Sequence, residues 1–320
     1  MKKALFLLGA DSFQQIYGAE QAAEIGRLVE ISPAPLLRDV EIILSGWGAP
    51  VMDEAFLDAA PRLEAVFYGA GSVRGLVSDA FWDRGFVLSS AWAMNAVPVA
   101  EFTLAQILLA LKRTWPHALS IVRGGLEGRK RLPVPGAYGA TVGIISLGAV
   151  GRKVCELLKP FDLQVLAYDP FVDDAVLAEL SVQRAGLDEL FERSDVVSLH
   201  APNLPSTRGM ITGAHFERMK PDATFINTAR GDVIREREMA DVLRRRPDLW
   251  AILDVLANND RGETPDIYEL PNVVITPHIA GSMGRECRRM GKAVADELRR
   301  YLAGEPLRWP ITRERLAVMA

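Results

Sequence analysis

The sequence has few of the residues that build metal centres or disulfide frameworks. Its 320 residues include two cysteines and four histidines. Neither Cys155 nor Cys287 has a second Cys or His nearby at ligand spacing, which argues against zinc or any other metal site. Two cysteines so far apart form no disulfide framework, and a reducing, cytoplasmic setting is the simpler reading. There is no surplus of one charge. The formal net charge is -4 and the pI about 5.7, so nothing global points to nucleic acid. No apolar stretch reads as long enough to cross a bilayer. Internal repeats and low-complexity tracts are missing. So is a G-x-S-x-G elbow, which disfavours a hydrolase. Met1-Lys2-Lys3 followed by Ala4–Ala10 begins like a signal peptide. The apolar run is short, Asp11 ends it, and no small-residue cleavage site follows, so it reads as a buried first strand.

What is present is an ordinary globular balance, 49% hydrophobic and 24% charged, with enough length for about two domains. Short apolar strands alternate with helical stretches, the pattern of an α/β fold with parallel strands. The first segment holds strand candidates at Ala4–Leu8, Ile42–Leu44 and Ala65–Tyr68. A strongly apolar helix is expected over Pro98–Trp115, with Pro98 in its first turn, where a missing N–H is harmless. Gly124–Gly139 reads as a connection. After it come six strand candidates: Thr141–Leu147, Gln164–Tyr168, Val196–Leu199, Ala223–Asn227, Ala251–Leu256 and Val273–Thr276. Six such strands fit a doubly wound dinucleotide-binding sheet. The last piece opens with a helix carrying Arg285, Arg288, Arg289, Lys292, Arg299 and Arg300, read as a solvated basic face rather than an anion site.

The first of those six strands runs into Ser146-Leu147-Gly148-Ala149-Val150-Gly151. Gly148 lets the backbone approach a pyrophosphate, and Gly151 lets the following helix pack on the strand. The helix N-terminus at Ala149 and Val150 offers free N–H groups. Ser146 stands where the usual G-x-G-x-x-G has its first glycine. Asp169 follows Gly151 by 18 residues, at the end of the next strand. A carboxylate there accepts hydrogen bonds from ribose hydroxyls and repels a 2′-phosphate, which favours NAD over NADP. The plainer alternative for Asp169 is a turn residue before Pro170.

Several further blocks follow in order: Val99-Ala100-Glu101, His200-Ala201-Pro202-Asn203-Leu204-Pro205-Ser206-Thr207, Ile226-Asn227-Thr228-Ala229-Arg230-Gly231, Leu253-Asp254-Val255, and Leu270–Gly281 with its Pro277-His278-Ile279-Ala280-Gly281 end. With these blocks the chain resembles the D-2-hydroxyacid dehydrogenase family along nearly its whole length. The resemblance implies two Rossmann-like domains with doubly wound parallel sheets. A dinucleotide-binding domain (93–284) would be inserted into a flavodoxin-like substrate domain (1–92 and 285–320). It implies that Arg230 binds the carboxylate and carbonyl of a 2-keto acid and polarises the carbonyl. His278 would be the proton donor, a role suited to a group that ordinarily titrates near neutrality. Asp254 would hold the nicotinamide carboxamide, with Thr228, Ala229, His200, Ala201, Pro202, Thr207 and Gly281 lining the cofactor. Gly71 and Ser72 would offer backbone amides to the substrate carboxylate. Trp47 and Arg74 would shape the pocket at the cleft between domains, Trp47 having core packing as its alternative. Homodimers are common in the family, and the apolar Pro98–Trp115 helix is compatible with one.

One block departs from the family. The family spacing is D-V-F-x-x-E-P, whereas this chain reads Asp254-Val255-Leu256-Ala257-Asn258-Asn259-Asp260, with Asn259 at the glutamate position. That glutamate orients the catalytic histidine and supplies charge, whereas an amide supplies orientation only. Three outcomes stay open: Asn259 orients His278, Asp260 or Glu263 substitutes, or the reaction needs no proton transfer. The sequence therefore reads as an NAD(H)-dependent reductase of a small 2-keto acid. The rival is an NAD-binding sensor or scaffold with little turnover.

Overall fold

The computed structural model describes residues 1–32 and 36–319, with the side chains of Asn259 and Pro265 outside that description. The chain folds as two compact units, Met1–Pro98 with Ser282–Ala320, and Val99–Gly281.

The first unit is built on a five-stranded sheet of β1 (Lys3–Leu7), β2 (Glu30–Ile31), β3 (Ile42–Ser45), β4 (Ala65–Tyr68) and β5 (Val87–Ser90). All pairs are parallel and the order is β2-β1-β3-β4-β5. β3 and β4 are buried at every position, as strands covered on both faces must be, and their sequences are accordingly apolar apart from Ser45. The helix Cys287–Leu302 packs Met290, Val294 and Leu298 into the core that holds Ile16, Ile42 and Phe67. Of its basic residues Arg289, Lys292 and Arg299 are exposed, and Arg299 pairs with Glu24 and Asp296, whereas Arg288 is half-buried with its Nη1 enclosed, which corrects the reading of a wholly solvated face.

The second unit holds seven parallel strands: β6 (Thr141–Ile145), β7 (Gln164–Tyr168), β8 (Gln183–Arg184), β9 (Val196–Leu199), β10 (Thr224–Asn227), β11 (Trp250–Leu253) and β12 (Val273–Ile275). Their order, β12-β11-β10-β9-β6-β7-β8, reverses direction between β6 and β9. That reversal is the switch point at which doubly wound sheets bind ligands, outside the carboxyl ends of the strands. Six of the seven strands match the sequence expectation within a few residues. The seventh, β8, spans two residues and leaves no periodic signal.

The apolar helix needs correction. It spans Trp92–Leu111, with Pro98 inside it, and a second helix, Thr114–Gly124, follows after Arg113 in the left-handed region. Proline removes one backbone donor. The seven residues from Trp92 to Pro98 are helical despite it. The helix has 20 residues and is long and apolar enough to cross a membrane by length and composition, contrary to the sequence reading. Half of its most apolar window is buried within the protein, and Ala100, Ile107, Ala110 and Leu111 pack with Val142, Ile144 and Val154 in the core of the second unit.

Candidate active site

The sites expected in the Val99–Gly281 unit all follow the carboxyl end of a strand: Ser146–Val150 after β6, Asp169 after β7, His200 after β9, Thr228–Arg230 after β10, Asp254 after β11 and His278 after β12. One edge of one sheet therefore gathers them.

At the phosphate-binding turn Ser146 has φ +74°, a conformation that glycine adopts freely and serine does not. This explains why the usual motif has glycine there. A β-carbon on Gly151 would lie 2.0 Å from the Ser146 carbonyl oxygen, so only glycine lets helix and turn touch. A β-carbon on Gly148 would meet nothing within 4 Å. The opening there is a cradle that a side chain would fill, and it fits the pyrophosphate of a dinucleotide. Gly148 and Ala149 are exposed and Val150 is half-buried. Asp169 is 9% exposed. Its Oδ2 accepts from the Leu147 N–H at 2.7 Å and its Oδ1 from the Phe171 N–H at 2.9 Å. The carboxylate braces the turn and keeps further lone pairs for a ribose.

His200 donates to or accepts from the Ser198 hydroxyl through Nε2 at 3.0 Å. Burial pushes its pKa down to about 3, so the ring is neutral at physiological pH. Ala201 is buried and Pro202 half-buried. Thr207 Oγ1 accepts from the Leu204 N–H at 2.9 Å and donates to the Pro202 carbonyl, closing that loop. Gly281 is half-buried at the end of the unit.

After β10, the fully buried Asn227 organises the turn. Its Oδ1 accepts from the Ala229 N–H at 2.9 Å and its Nδ2 donates to the Arg230 carbonyl at 3.1 Å. Thr228 is buried and shares a hydroxyl contact of 2.9 Å with Thr103. The half-buried Arg230 donates from Nη1 to the Ala229 carbonyl at 2.6 Å and has no carboxylate within ion-pair distance among the described residues. Burial lowers its pKa from the ordinary value, and the charge of Asp260 acts against that.

Asp254, 2% exposed, is a hub for the segment carrying His278. Its Oδ1 accepts from the Thr276 hydroxyl at 2.5 Å and the Ile279 N–H at 2.9 Å, its Oδ2 from the Ala280 N–H at 2.9 Å, and its carbonyl from the His278 N–H at 3.0 Å. This network holds His278 at φ +55°. The His278 side chain is 50% exposed, and its Nδ1 lies 2.6 Å from Asp260 Oδ2. The Asp260 Oδ1 accepts from the Leu256 N–H at 2.9 Å. Asp260, one of the alternatives the sequence left open, is thus the residue whose carboxylate lies beside the ring. Asn258 and Asp260, at φ +54° and +63°, bend the loop so that position 260 faces the histidine. The Asn259 side chain, expected to orient His278, lies outside the described residues.

Sequence reasoning missed Asp232, Glu236 and the reason for Gly231. A β-carbon on Gly231 would lie 1.9 Å from the Leu256 carbonyl carbon, so two backbones touch there. Glu236, 2% exposed, accepts from three backbone N–H groups of the 257–264 loop.

In the other unit, Trp47 is half-buried after β3 and packs on both cores there, and its carbonyl accepts from the Gly9 N–H at 2.9 Å. Gly71 and Ser72 follow β4, and the Ser90 hydroxyl donates to the Ala70 and Gly71 carbonyls. Arg74, expected to shape a pocket, donates to the Leu316 and Met319 carbonyls at the end of the helix Arg313–Val318. The described residues contain no group of three or more His, Cys, Asp and Glu that could hold a metal.

The chain is 34% identical over 257 residues to a D-3-phosphoglycerate dehydrogenase of Mycobacterium bovis, covering 80% of this chain and 48% of the relative. It is 28% identical over 270 residues to one of Methanocaldococcus jannaschii, covering 84% and 51%. It therefore spans about half the length of these relatives. The structure of Rhodotorula graminis D-mandelate dehydrogenase has the same fold, with a TM-score of 0.84 at 22% identity over 98% of both chains. An NAD-complexed D-isomer specific 2-hydroxyacid dehydrogenase of Lactobacillus delbrueckii ssp. bulgaricus gives 0.80 at 21% identity, over 98% and 100% of the chains. A family profile for the NAD binding domain of D-isomer specific 2-hydroxyacid dehydrogenases matches residues 104–280, so the chain belongs to the D-isomer specific 2-hydroxyacid dehydrogenase family and carries its NAD-binding domain.

Proposed function

We propose that the chain is an NAD(H)-dependent oxidoreductase that interconverts a small 2-keto acid and its D-2-hydroxy acid. The observation that carries this reading is the 2.6 Å pairing of His278 Nδ1 with Asp260 Oδ2, at the sheet edge that also carries Arg230. NADH, when bound, supplies the hydride that adds to the keto carbon. With Nδ1 held by a carboxylate, Nε2 is the ring nitrogen left to deliver a proton to the carbonyl oxygen, and the carboxylate stabilises the protonated ring. Arg230 is cationic and half-buried, with most of its guanidinium donors still to be used. It suits the carboxylate of a keto acid in bidentate fashion, and it polarises the carbonyl as charge develops.

The dinucleotide would lie on Gly148, Ala149 and Val150, with Asp169 at the ribose. Thr228, Ala229, Asp254, His200, Ala201, Pro202, Thr207 and Gly281 would line its other half. Gly71 and Ser72 are proposed backbone donors to the substrate carboxylate, and Trp47 a proposed contact of the substrate. The sensor or scaffold rival drew its support from a missing carboxylate, and Asp260 removes that support.

We further propose a homodimer through the Val99–Gly281 unit, where Val122, Leu126 and Tyr138 are 79%, 82% and 88% exposed. Both cysteines are free and buried, and burial pushes the Cys155 thiol up to about 12, which suits a reducing cytoplasm.

The test is NADH oxidation at 340 nm with glyoxylate, hydroxypyruvate, pyruvate, phenylpyruvate and 2-ketoisocaproate. Arg230→Ala should lower kcat/KM by about 10³-fold or more while NADH binding, read by fluorescence, is kept. Turnover unchanged by that substitution overturns the assignment.

A further inference from the structure

Glu236 is a buried carboxylate that the proposed chemistry does not use. It opens the helix Glu236–Arg245, yet it is 2% exposed while Arg235 and Glu238 beside it pair with each other in solvent. Its Oε2 accepts from the Ala257 N–H at 2.9 Å. Its Oε1 accepts from the Glu263 N–H at 2.5 Å and the Thr264 N–H at 3.1 Å. A buried carboxylate without donors would be very costly, and here three backbone donors meet the charge. They come from the start and the end of one loop, which is thereby closed on a single side chain.

Asp232 does related work one turn earlier. Its Oδ1 accepts from the Asn258 N–H at 3.1 Å and its Oδ2 from Asn203 Nδ2 at 3.0 Å. Between the two acids, Gly231 lets this segment touch the Leu256–Ala257 backbone. The segment 230–236 thus begins with Arg230 and ends with a clamp on the loop that carries Asp260. That loop needs a clamp, because Asn258 and Asp260 both hold left-handed backbone conformations that cost of order 1 kcal/mol or more each without support.

We infer that Glu236 is a positioning residue for proton transfer: by fixing both ends of the 257–264 loop it presents the Asp260 carboxylate to His278. The inference rests on the reading of His278 and Asp260 as the acid/base pair. It also explains how an aspartate, one methylene shorter than the family's glutamate and one position later, reaches the ring.

The test uses the full chain, with whichever keto acid of the panel it turns over best. Glu236→Gln keeps the size but sets an NH2 group against backbone donors, and Asp260→Asn removes the carboxylate itself. Both should lower kcat at pH 7.5 by about tenfold or more, and both should change the pH profile of kcat in the same way, because both withdraw the same carboxylate from the histidine. NADH binding and the KM for the keto acid should change by less than about threefold. The double variant should be no slower than Asp260→Asn alone, because both act through one contact.

A Glu236→Gln protein with lowered Tm but the parent's pH profile would reduce Glu236 to a structural residue. Losses that multiply in the double variant would do the same. If Glu236→Gln does not fold, Glu236→Asp, which keeps the charge but cannot span both ends of the loop, is read against the same outcomes. An Asp260→Asn enzyme that matches the parent removes the acid/base pair, and the positioning role falls with it. An impaired Asp260→Asn beside an unimpaired Glu236→Gln removes the positioning role alone.

Discussion

Two loops of the NAD-binding domain depart from their family's pattern, and they accommodate the departure in different ways. At the phosphate-binding turn the backbone keeps its shape and the residue bears the strain: Ser146 stands at φ +74° in place of a glycine. At the 254–264 loop the Asp260 carboxylate, one position after the family's glutamate, meets His278 at 2.6 Å, so that on the proposed reading the backbone changes and the chemistry is kept. The difference follows from what each loop must present. A pyrophosphate is read by backbone N–H groups, so the turn's path is fixed and its side chains are secondary. A proton relay is read by one carboxylate oxygen beside one ring nitrogen, so any path that delivers the oxygen will serve.

The largest expected contrast lies between two glycines. Gly231→Ala would set a β-carbon 1.9 Å from the Leu256 carbonyl carbon, against backbone that has no slack, and should cost more than about 4 kcal/mol or abolish folding. Gly148→Ala meets nothing within 4 Å in the protein. It should leave Tm within a degree or two while weakening NADH on the order of tenfold, because the methyl occupies the phosphate cradle. Thermal melts with and without NADH check both. A Gly148→Ala protein that binds NADH normally would remove this turn from the cofactor site.

The next contrast is within the second loop. Asp260→Asn should lower kcat at pH 7.5 by about 10- to 100-fold and change the pH profile of reduction, since the ring loses the carboxylate that meets its Nδ1. The loss should exceed that of Asn259→Ala at every pH. If the ranking is reversed, position 259 keeps the orienting role that the family spacing gives it.

Much of this was legible in the sequence because it is written in residue types. The buried strands of both sheets are mostly apolar runs, and Arg230 and His278 sit in recognisable blocks. What escaped depends on geometry that spacing does not carry. β8 is too short for a pattern, and Pro98 suggested a helix start where the helix was already under way. Counting residues from Asp254 left Asn259, Asp260 and Glu263 as candidates beside His278, because a count cannot see the two left-handed residues that bring position 260 to the ring. Glu236, within Glu236-Arg237-Glu238, reads as the solvated first turn of a charged helix, and only the fold shows that its carboxylate is enclosed.

The smallest expected effect tests the first half of the comparison. If Ser146 bears strain without adding function, Ser146→Gly should relieve it. The left-handed conformation costs a non-glycine residue about 1–2 kcal/mol, and glycine returns part of that through the greater freedom of its unfolded chain. The serine hydroxyl contributes little against this, since its hydrogen bond to Asp169 Oδ2 is long at 3.5 Å. A net gain of about 0.5–1 kcal/mol and a Tm raised by roughly 2–4 °C should follow, with NADH affinity kept because the backbone path is unchanged. A Ser146→Gly protein that is less stable, or that binds NADH markedly less well, would mean that the hydroxyl does more than its geometry suggests. The turn would then resemble the other loop, with a side chain recruited to replace what the substitution took away.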